Sequence, residues 1–332
     1  MSKIEWNPGK IMEISGFYWK TCALHAGIKT DLFTVIGNKG IKSEDAADKI
    51  KANKDGVYRL LNALTAMDLL EKKGGFFFNT EASKRFLSKD SDSYLGYMIL
   101  HHHYILKAWA DLDSSVKTGK PVKKNSSFAD KEQREAFIMG MYNTASGVAP
   151  SLVKEFDLSG YNSLLDLGGG PGTYAIHFCL NNPKLKAAVY DLPTTKPFAE
   201  KTIAKFGLKD RISFIKGDFV KEDITGEYDV VWMSHILHGE GEEDCRKIIK
   251  KAAKVLKPGG IIMIHEFILK NSKDAPLFPA LFSLNMLVGT DNGKAYSEDE
   301  LEDMLKEAGL KDVSLSFCFG VNESRVMTGK KG

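Results

Sequence analysis

The sequence predicts an α/β protein in two parts, a mainly helical N-terminal part and then a mostly parallel sheet covered by helices. Three observations predict it. Leu164-Leu165-Asp166-Leu167 is a short apolar run ending in Gly168-Gly169-Gly170-Pro171-Gly172, which reads as a buried strand, a glycine loop and a helix start. From about residue 160, apolar runs of strand length alternate with amphipathic helical stretches. Before residue 100, apolar positions recur mostly at helical spacing around a single Gly74-Gly75 turn.

A chain of 332 residues accommodates two domains of about 150 residues each. Its 43% apolar and 27% charged fractions are those of an ordinary globular protein. A net charge of +3 makes no strong field, which argues against a dedicated nucleic-acid binder. No apolar run approaches the roughly 18 residues that span a bilayer, and Met1–Pro8 has no apolar signal core. No membrane partner is expected, and the cytoplasm is the expected compartment. Cys22, Cys179, Cys245 and Cys318 are far apart and form no C-x-x-C, so reduced structural thiols are expected.

The elements follow in order. Ser43 before Glu44 and Asp45 reads as a helix N-cap with negative charge in the first turn. After a break at Asn53–Gly56, the residues Tyr58, Leu60, Leu61, Leu64, Met67 and Leu70 mark a second helix. Leu70–Asn79 then reads as strand, Gly-Gly turn, strand, so that two helices and a β-wing make a winged-helix pattern. DNA binding would need several basic groups on the second helix, and Arg59 is the only one expected there. Its apolar character instead suits packing against another subunit. Residues 93–158 look helical, with an exposed loop at Lys117–Ser127. The expected strands are Leu164–Leu167, Ala187–Tyr190, Ile212–Lys216, Val230–Met233, Ile261–Glu266 and Val313–Phe319. Pro258-Gly259-Gly260 is expected to end a helix ahead of the fifth of these, and Ser297 with Glu300 to form a capping box for a helix ending near Gly309.

Ligands in such sheets bind beyond the carboxyl ends of the strands. The glycine loop lacks the Lys-Ser/Thr of a phosphate loop, and counted from Gly168 the third glycine of a dinucleotide loop is replaced by Thr173. A shifted frame, Gly170 and Gly172 with Ala175, leaves a dinucleotide open. Asp191 ends the second strand about 20 residues past the loop, where a carboxylate can accept from ribose hydroxyls. Asp218 in Lys216-Gly217-Asp218-Phe219 could accept from an adenine amino group while Phe219 packs on the ring. The fourth strand leads into Ser234-His235-Ile236-Leu237-His238.

These motifs, in this order, resemble the small-molecule O-methyltransferases dependent on S-adenosylmethionine (SAM), including plant caffeic-acid and isoflavone, acetylserotonin and bacterial polyketide enzymes. The resemblance covers nearly the whole chain. It implies a Rossmann-like class I methyltransferase domain over residues 159–332, a winged-helix dimerisation domain over 1–95 and a helical linker over 96–158 that contributes to the substrate pocket. It further implies a homodimer, with SAM held by Asp166, Gly168, Gly170, Asp191, Leu192, Gly217, Asp218, Phe219 and Ser234. His238 would be the general base and Glu266 its orienting acid.

The chemistry suits that assignment. Neutral imidazole, with a reference pKa of about 6.5, is a usable base toward a phenol near neutral pH, and a base histidine needs a carboxylate to fix its tautomer. His235 is the rival base within the motif. The chain departs from the plant pattern at three points: Ala295 replaces a second glutamate, Gly239 follows the base where Asp is usual, and Ser234 replaces a Lys. These departures keep open C- or N-methylation, a SAM-bound enzyme of other chemistry, and a dimeric winged-helix regulator that senses SAM. Phe278, Leu281, Phe282, Asn285 and Met286 recur at helical spacing and, with Met139, Met141 and Asn143, are candidates for the acceptor pocket, the Asn285 amide as a hydrogen-bond partner. His101-His102-His103 point about 100° apart on a helix and cannot converge on one ion, so no metal is expected; one of them could instead line the pocket.

Overall fold

The computed structural model describes residues 5–122, 130–316 and 322–332. It divides into two compact units, one of residues up to Ile105 with Glu135–Asn143, the other of Leu106–Arg134 with the chain from Thr144 onward.

In the first unit, short helices surround a small antiparallel sheet of β1 (Ile41–Lys42), β2 (Leu70–Lys73) and β3 (Phe76–Asn79), in the order β1-β3-β2. Leu32, Phe33, Leu61, Leu64 and Phe77 fill its core. Asn53 caps the helix Lys54–Ala66 by accepting from the Gly56 amide at 3.0 Å. Ser43 is the first residue of the helix Ser43–Lys49 and Lys42 holds the cap position, a one-residue correction to the expected N-cap. Lys54 joins Arg59 as a basic residue of the second helix, but both are matched by acids: Arg59 lies 2.8 Å from Asp55 and Lys54 3.7 Å from Asp48. The first helix, Pro8–Gly16, buries none of its side chains. Ile11, Met12 and Ile14 stand exposed on it, as do Phe17, Tyr18 and Trp19 beyond it.

The second unit is built on seven strands. These are β4 (Ser163–Leu167), β5 (Lys186–Asp191), β6 (Ile212–Lys216), β7 (Tyr228–Ser234), β8 (Leu256–Glu266), β9 (Leu310–Leu315) and β10 (Arg325–Lys331). They lie in the order β6-β5-β4-β7-β8-β10-β9. The first five are parallel, and β10 runs antiparallel to both β8 and β9. Helices on both faces explain the apolar runs: Leu164, Leu165, Leu167, Val230, Val231, Trp232 and Met233 are fully buried. The strand order reverses direction beside β4, which puts a crevice at the carboxyl ends of β4 and β7.

Three expectations are corrected here. The preceding helix ends at Lys254, and Pro258-Gly259-Gly260 lies inside β8, opposite a register shift between Tyr228 and Val230. A proline there is tolerated because the irregular pairing relieves it of a ladder donor. The last expected strand begins earlier, at Leu310, and ends at Leu315; Phe317–Phe319, including Cys318, fall outside the described residues. Strand β10 was not anticipated. The loop expected at Lys117–Ser127 begins with the end of the helix Leu112–Thr118, which Gly119 terminates at φ 65°, and its residues 123–129 fall outside the described residues. The Ser297–Glu300 capping box is present. Cys22, Cys179 and Cys245 are free thiols. No helix among the described residues is long and apolar enough to cross a membrane.

Candidate active site

Parallel pairing of β4 to β8 brings their carboxyl ends to one edge of the sheet, and the expected cofactor and catalytic residues lie along that edge. Gly168 leaves β4 at φ 67°, and a Cβ there would stand 2.5 Å from Ile236 Cγ2. Glycine is therefore required both by backbone conformation and by the close approach. Gly170, at φ 53°, faces open space. The loop then feeds the helix Thr173–Asn181 through Gly172.

Asp191 ties this loop to the neighbouring strand. Its Oδ2 accepts from the Gly170 amide at 2.8 Å, and its Oδ1 accepts from the Leu192 amide at 2.6 Å and from Thr195 Oγ1 at 3.0 Å. Burial still pushes its carboxyl above the ordinary value despite these donors. Asp166 lies beneath the loop, 1% exposed, with Oδ2 accepting from the Ala175 amide at 3.2 Å. Burial raises its pKa to about 7. Gly217 donates its amide to the Asp191 carbonyl at 3.0 Å. Asp218 caps the following turn, accepting from the Val220 amide at 3.0 Å and pairing with Lys221 at 3.0 Å. Burial opposes its ionisation, but the Lys221 ammonium and the turn amides outweigh it and hold the carboxyl below its usual range. Phe219 packs at the Gly168 turn.

At the end of β7, Ser234 Oγ lies 3.0 Å from Nδ1 of His265, whose Nε2 lies 2.8 Å from Ser324 Oγ. His238 follows in a short 3₁₀ turn, Leu237–Gly239. Its Nδ1 stands 2.8 Å from Glu266 Oε2, and Glu266 Oε1 accepts from the Leu237 amide at 3.0 Å. Burial alone would raise the Glu266 carboxyl, but the His238 and His235 imidazoles outweigh it and hold it well below the usual carboxylate range. An ionised carboxylate only accepts, so Nδ1 of His238 carries a hydrogen, and Nε2 is the atom left to take up or release a proton.

Two phenylalanines flank this imidazole, and a third packs against them. The Phe282 ring meets His238 edge-on at 4.7 Å, and Phe267 lies 4.6 Å from Phe282 and 4.9 Å from Phe278. Of the other pocket candidates, Asn285 has its Oδ1 engaged by Trp109 Nε1 at 2.8 Å, which leaves only its NH₂ free of that bond. Met286 is buried. Met139 and Asn143 belong to the first unit, on the helix Lys131–Leu152, where the Asn143 amide donates to the Tyr94 carbonyl at 2.7 Å. The adjacent histidines disperse: His101 packs on Phe137, and His103 meets Lys29 and His25. Ala295 is buried and supplies no second acid.

Sequence reading missed Phe267, which adjoins Glu266 and could have been noted as an aromatic at a strand end. It also missed His265 and Trp109, for which the sequence holds no local signal.

Comparison with known proteins agrees with this geometry. Residues 116–311 match the O-methyltransferase domain and residues 12–89 the O-methyltransferase dimerisation domain. The chain is 31% identical over 312 residues to a 3-hydroxy-5-methyl-1-naphthoate 3-O-methyltransferase of Streptomyces sahachiroi, covering 92% of this chain and 90% of that one. It is 30% identical to the tetracenomycin polyketide synthesis 8-O-methyl transferase of Streptomyces glaucescens, over 94% of each chain. The structure of an O-methyltransferase family protein from Burkholderia thailandensis superposes with a TM-score of 0.87 at 27% identity, over 99% of both chains. With the glycine loop, the strand-end acids and the matched dimerisation domain in one chain, this protein belongs to the family of SAM-dependent O-methyltransferases that act on small molecules.

Proposed function

We propose that this enzyme methylates a phenolic hydroxyl of a small aromatic molecule, with His238 taking the hydroxyl proton and Glu266 holding the imidazole in place. The observation that carries the reading is the 2.8 Å contact between His238 Nδ1 and an ionised Glu266, because it leaves Nε2 as the accepting atom. SAM, when bound, supplies an electrophilic methyl group.

The residues at the strand ends fit that cofactor. Nothing stands within 4 Å of the Cβ position at Gly170, so a ligand can approach its backbone. Beside the loop, Thr173 Oγ1 is buried without a protein partner. Asp191 uses three of its about four acceptor positions internally and keeps one on Oδ2 for a ribose hydroxyl. Gly168, Gly170, Leu192, Gly217 and Phe219 would form the walls, with Asp218 and Ser234 at the two sides and Asp166 shaping the loop from below. The Phe267–Phe278–Phe282 cluster favours a flat aromatic acceptor, held by edge-to-face and offset contacts. Residues 1–95 would serve dimerisation: seven large apolar side chains between Trp6 and Trp19 are more than half exposed, as a face awaiting a second copy would be.

The test is transfer of labelled methyl from SAM to a panel of aromatic alcohols and matched aromatic amines, with parent and His238→Ala side by side. Product from phenols with the parent, and a loss of about a hundredfold or more with the variant, is expected. Amine products, or equal rates in both proteins, would overturn the reading.

A further inference from the structure

The turn after β7 holds a second imidazole against Glu266 that the methyl-transfer reading does not use. His235 takes φ 57°, a left-handed conformation uncommon for a residue with a Cβ. Its amide donates to the His265 carbonyl at 2.9 Å, and its ring lies between His265 at 4.4 Å and Phe267 at 4.2 Å. The ring is thereby fixed with Nδ1 toward Glu266, 3.6 Å from Oε2, which is too long for a hydrogen bond. That Nδ1 is buried and has no hydrogen-bond partner. His238 approaches the same oxygen from another side, at 2.8 Å. Two imidazole nitrogens and one carboxylate oxygen thus lie within 4.8 Å of one another.

We propose that His235, His238 and Glu266 form a binding site for a divalent transition-metal ion of the Zn²⁺ type, and that the ion and the catalytic base compete for one imidazole. Two nitrogens and an ionised oxygen are a ligand set suited to such an ion. Small rotations of the rings would bring the three atoms to the roughly 2.0–2.2 Å of zinc–nitrogen and zinc–oxygen bonds. Three protein ligands leave at least one position for water. Glu266 is already ionised, and His235 offers an Nδ1 lone pair when its hydrogen is on Nε2. His238 likewise frees its Nδ1 lone pair by carrying its hydrogen on Nε2. In that state Nε2 bears hydrogen and cannot accept the substrate's proton, and the methyl-transfer site is switched off. This last consequence rests on the reading of His238 as base; the binding itself does not.

The experiment titrates Zn²⁺, and Co²⁺ as a visible-absorbing substitute, into the metal-free full-length protein by calorimetry and absorption. Parent, His235→Asn and His103→Gln are compared, and labelled methyl transfer is followed in the same samples. Asn is chosen because it tolerates positive φ. Expected are one equivalent bound by parent and by His103→Gln, binding at least tenfold weaker in His235→Asn, and ligand-field bands for Co²⁺ that this variant lacks. Methyl transfer by the parent should fall as the site fills and return with a chelator, while the turnover that His235→Asn retains, whatever its level, should not respond to the metal. Equal affinity in parent and His235→Asn, loss of binding in His103→Gln, or no saturable binding would overturn the site. Turnover that rises or stays level as the metal fills the site would overturn the competition. If no protein transfers methyl under any condition, the methyl-transfer reading fails, and the titrations still decide the metal site.

Discussion

The backbone amide of Gly170 donates to Oδ2 of Asp191 at 2.8 Å, fastening the loop after β4 to the end of β5. One carboxylate therefore shapes the loop and faces the crevice. If Asp191 holds the ribose as proposed, Asp191→Ala should raise the dissociation constant for SAM by about tenfold or more, since it removes that acceptor together with a charge-assisted bond. Turnover at saturating SAM should change only a few-fold. Calorimetry with steady-state kinetics separates the two, and an unchanged affinity would dismiss the assignment.

Glu266→Gln keeps the shape of the side chain and removes its charge. The Leu237 amide can still find an acceptor, but the glutamine side chain would not oppose the positive charge that His238 would gain as the proposed base. A fall in kcat of roughly tenfold to a thousandfold is expected, with SAM affinity unchanged. A larger effect on KM than on kcat would instead mark Glu266 as a substrate-binding group.

Asp166 gives a pH signature in stability. A carboxyl raised to about 7 is one whose protonated form is favoured by folding. Its contribution is full below the unfolded value of about 3.9 and is lost as pH climbs through about 7. Asp166→Asn retains an acceptor for Ala175 and has no charge to bury. Its melting temperature should gain on the parent by roughly 3–8 °C between pH 5 and pH 8. A constant difference across that range would show that Asp166 is ionised throughout.

Met12 and Trp19 are 68% and 70% exposed, the former on a helix that buries nothing. Lysine at both positions should cost the isolated chain little and should shift the mass seen by light scattering from dimer to monomer. A dimer that persists would move the interface elsewhere.

Much of the sheet was legible because parallel strands buried on both faces read as unbroken apolar runs, as in Leu164–Leu167 and Val230–Met233. Strand β10 was not, since Arg325-Val326-Met327-Thr328-Gly329-Lys330-Lys331 mixes charge and glycine and is held by its neighbours more than by its own propensity. The start of β8 was hidden by a proline and two glycines that ordinarily signal a turn. In the site, motif order put His238 and Glu266 at neighbouring strand ends, and the structure brings them within 2.8 Å. The approach of His235 to Glu266 was invisible, as it depends on one left-handed residue. The engagement of Asn285 by Trp109 joins residues 176 positions apart, and no local pattern announces it.

Strand β9 reaches the rest of the sheet through β10, which lies between it and β8. During synthesis Leu310–Leu315 therefore emerges before the strand it must pair with, and cannot join the sheet until Arg325–Lys331 has left the ribosome and slid into place. Until then β8 presents an open edge, and a nascent chain stalled short of Arg325 would be the form most in need of a chaperone.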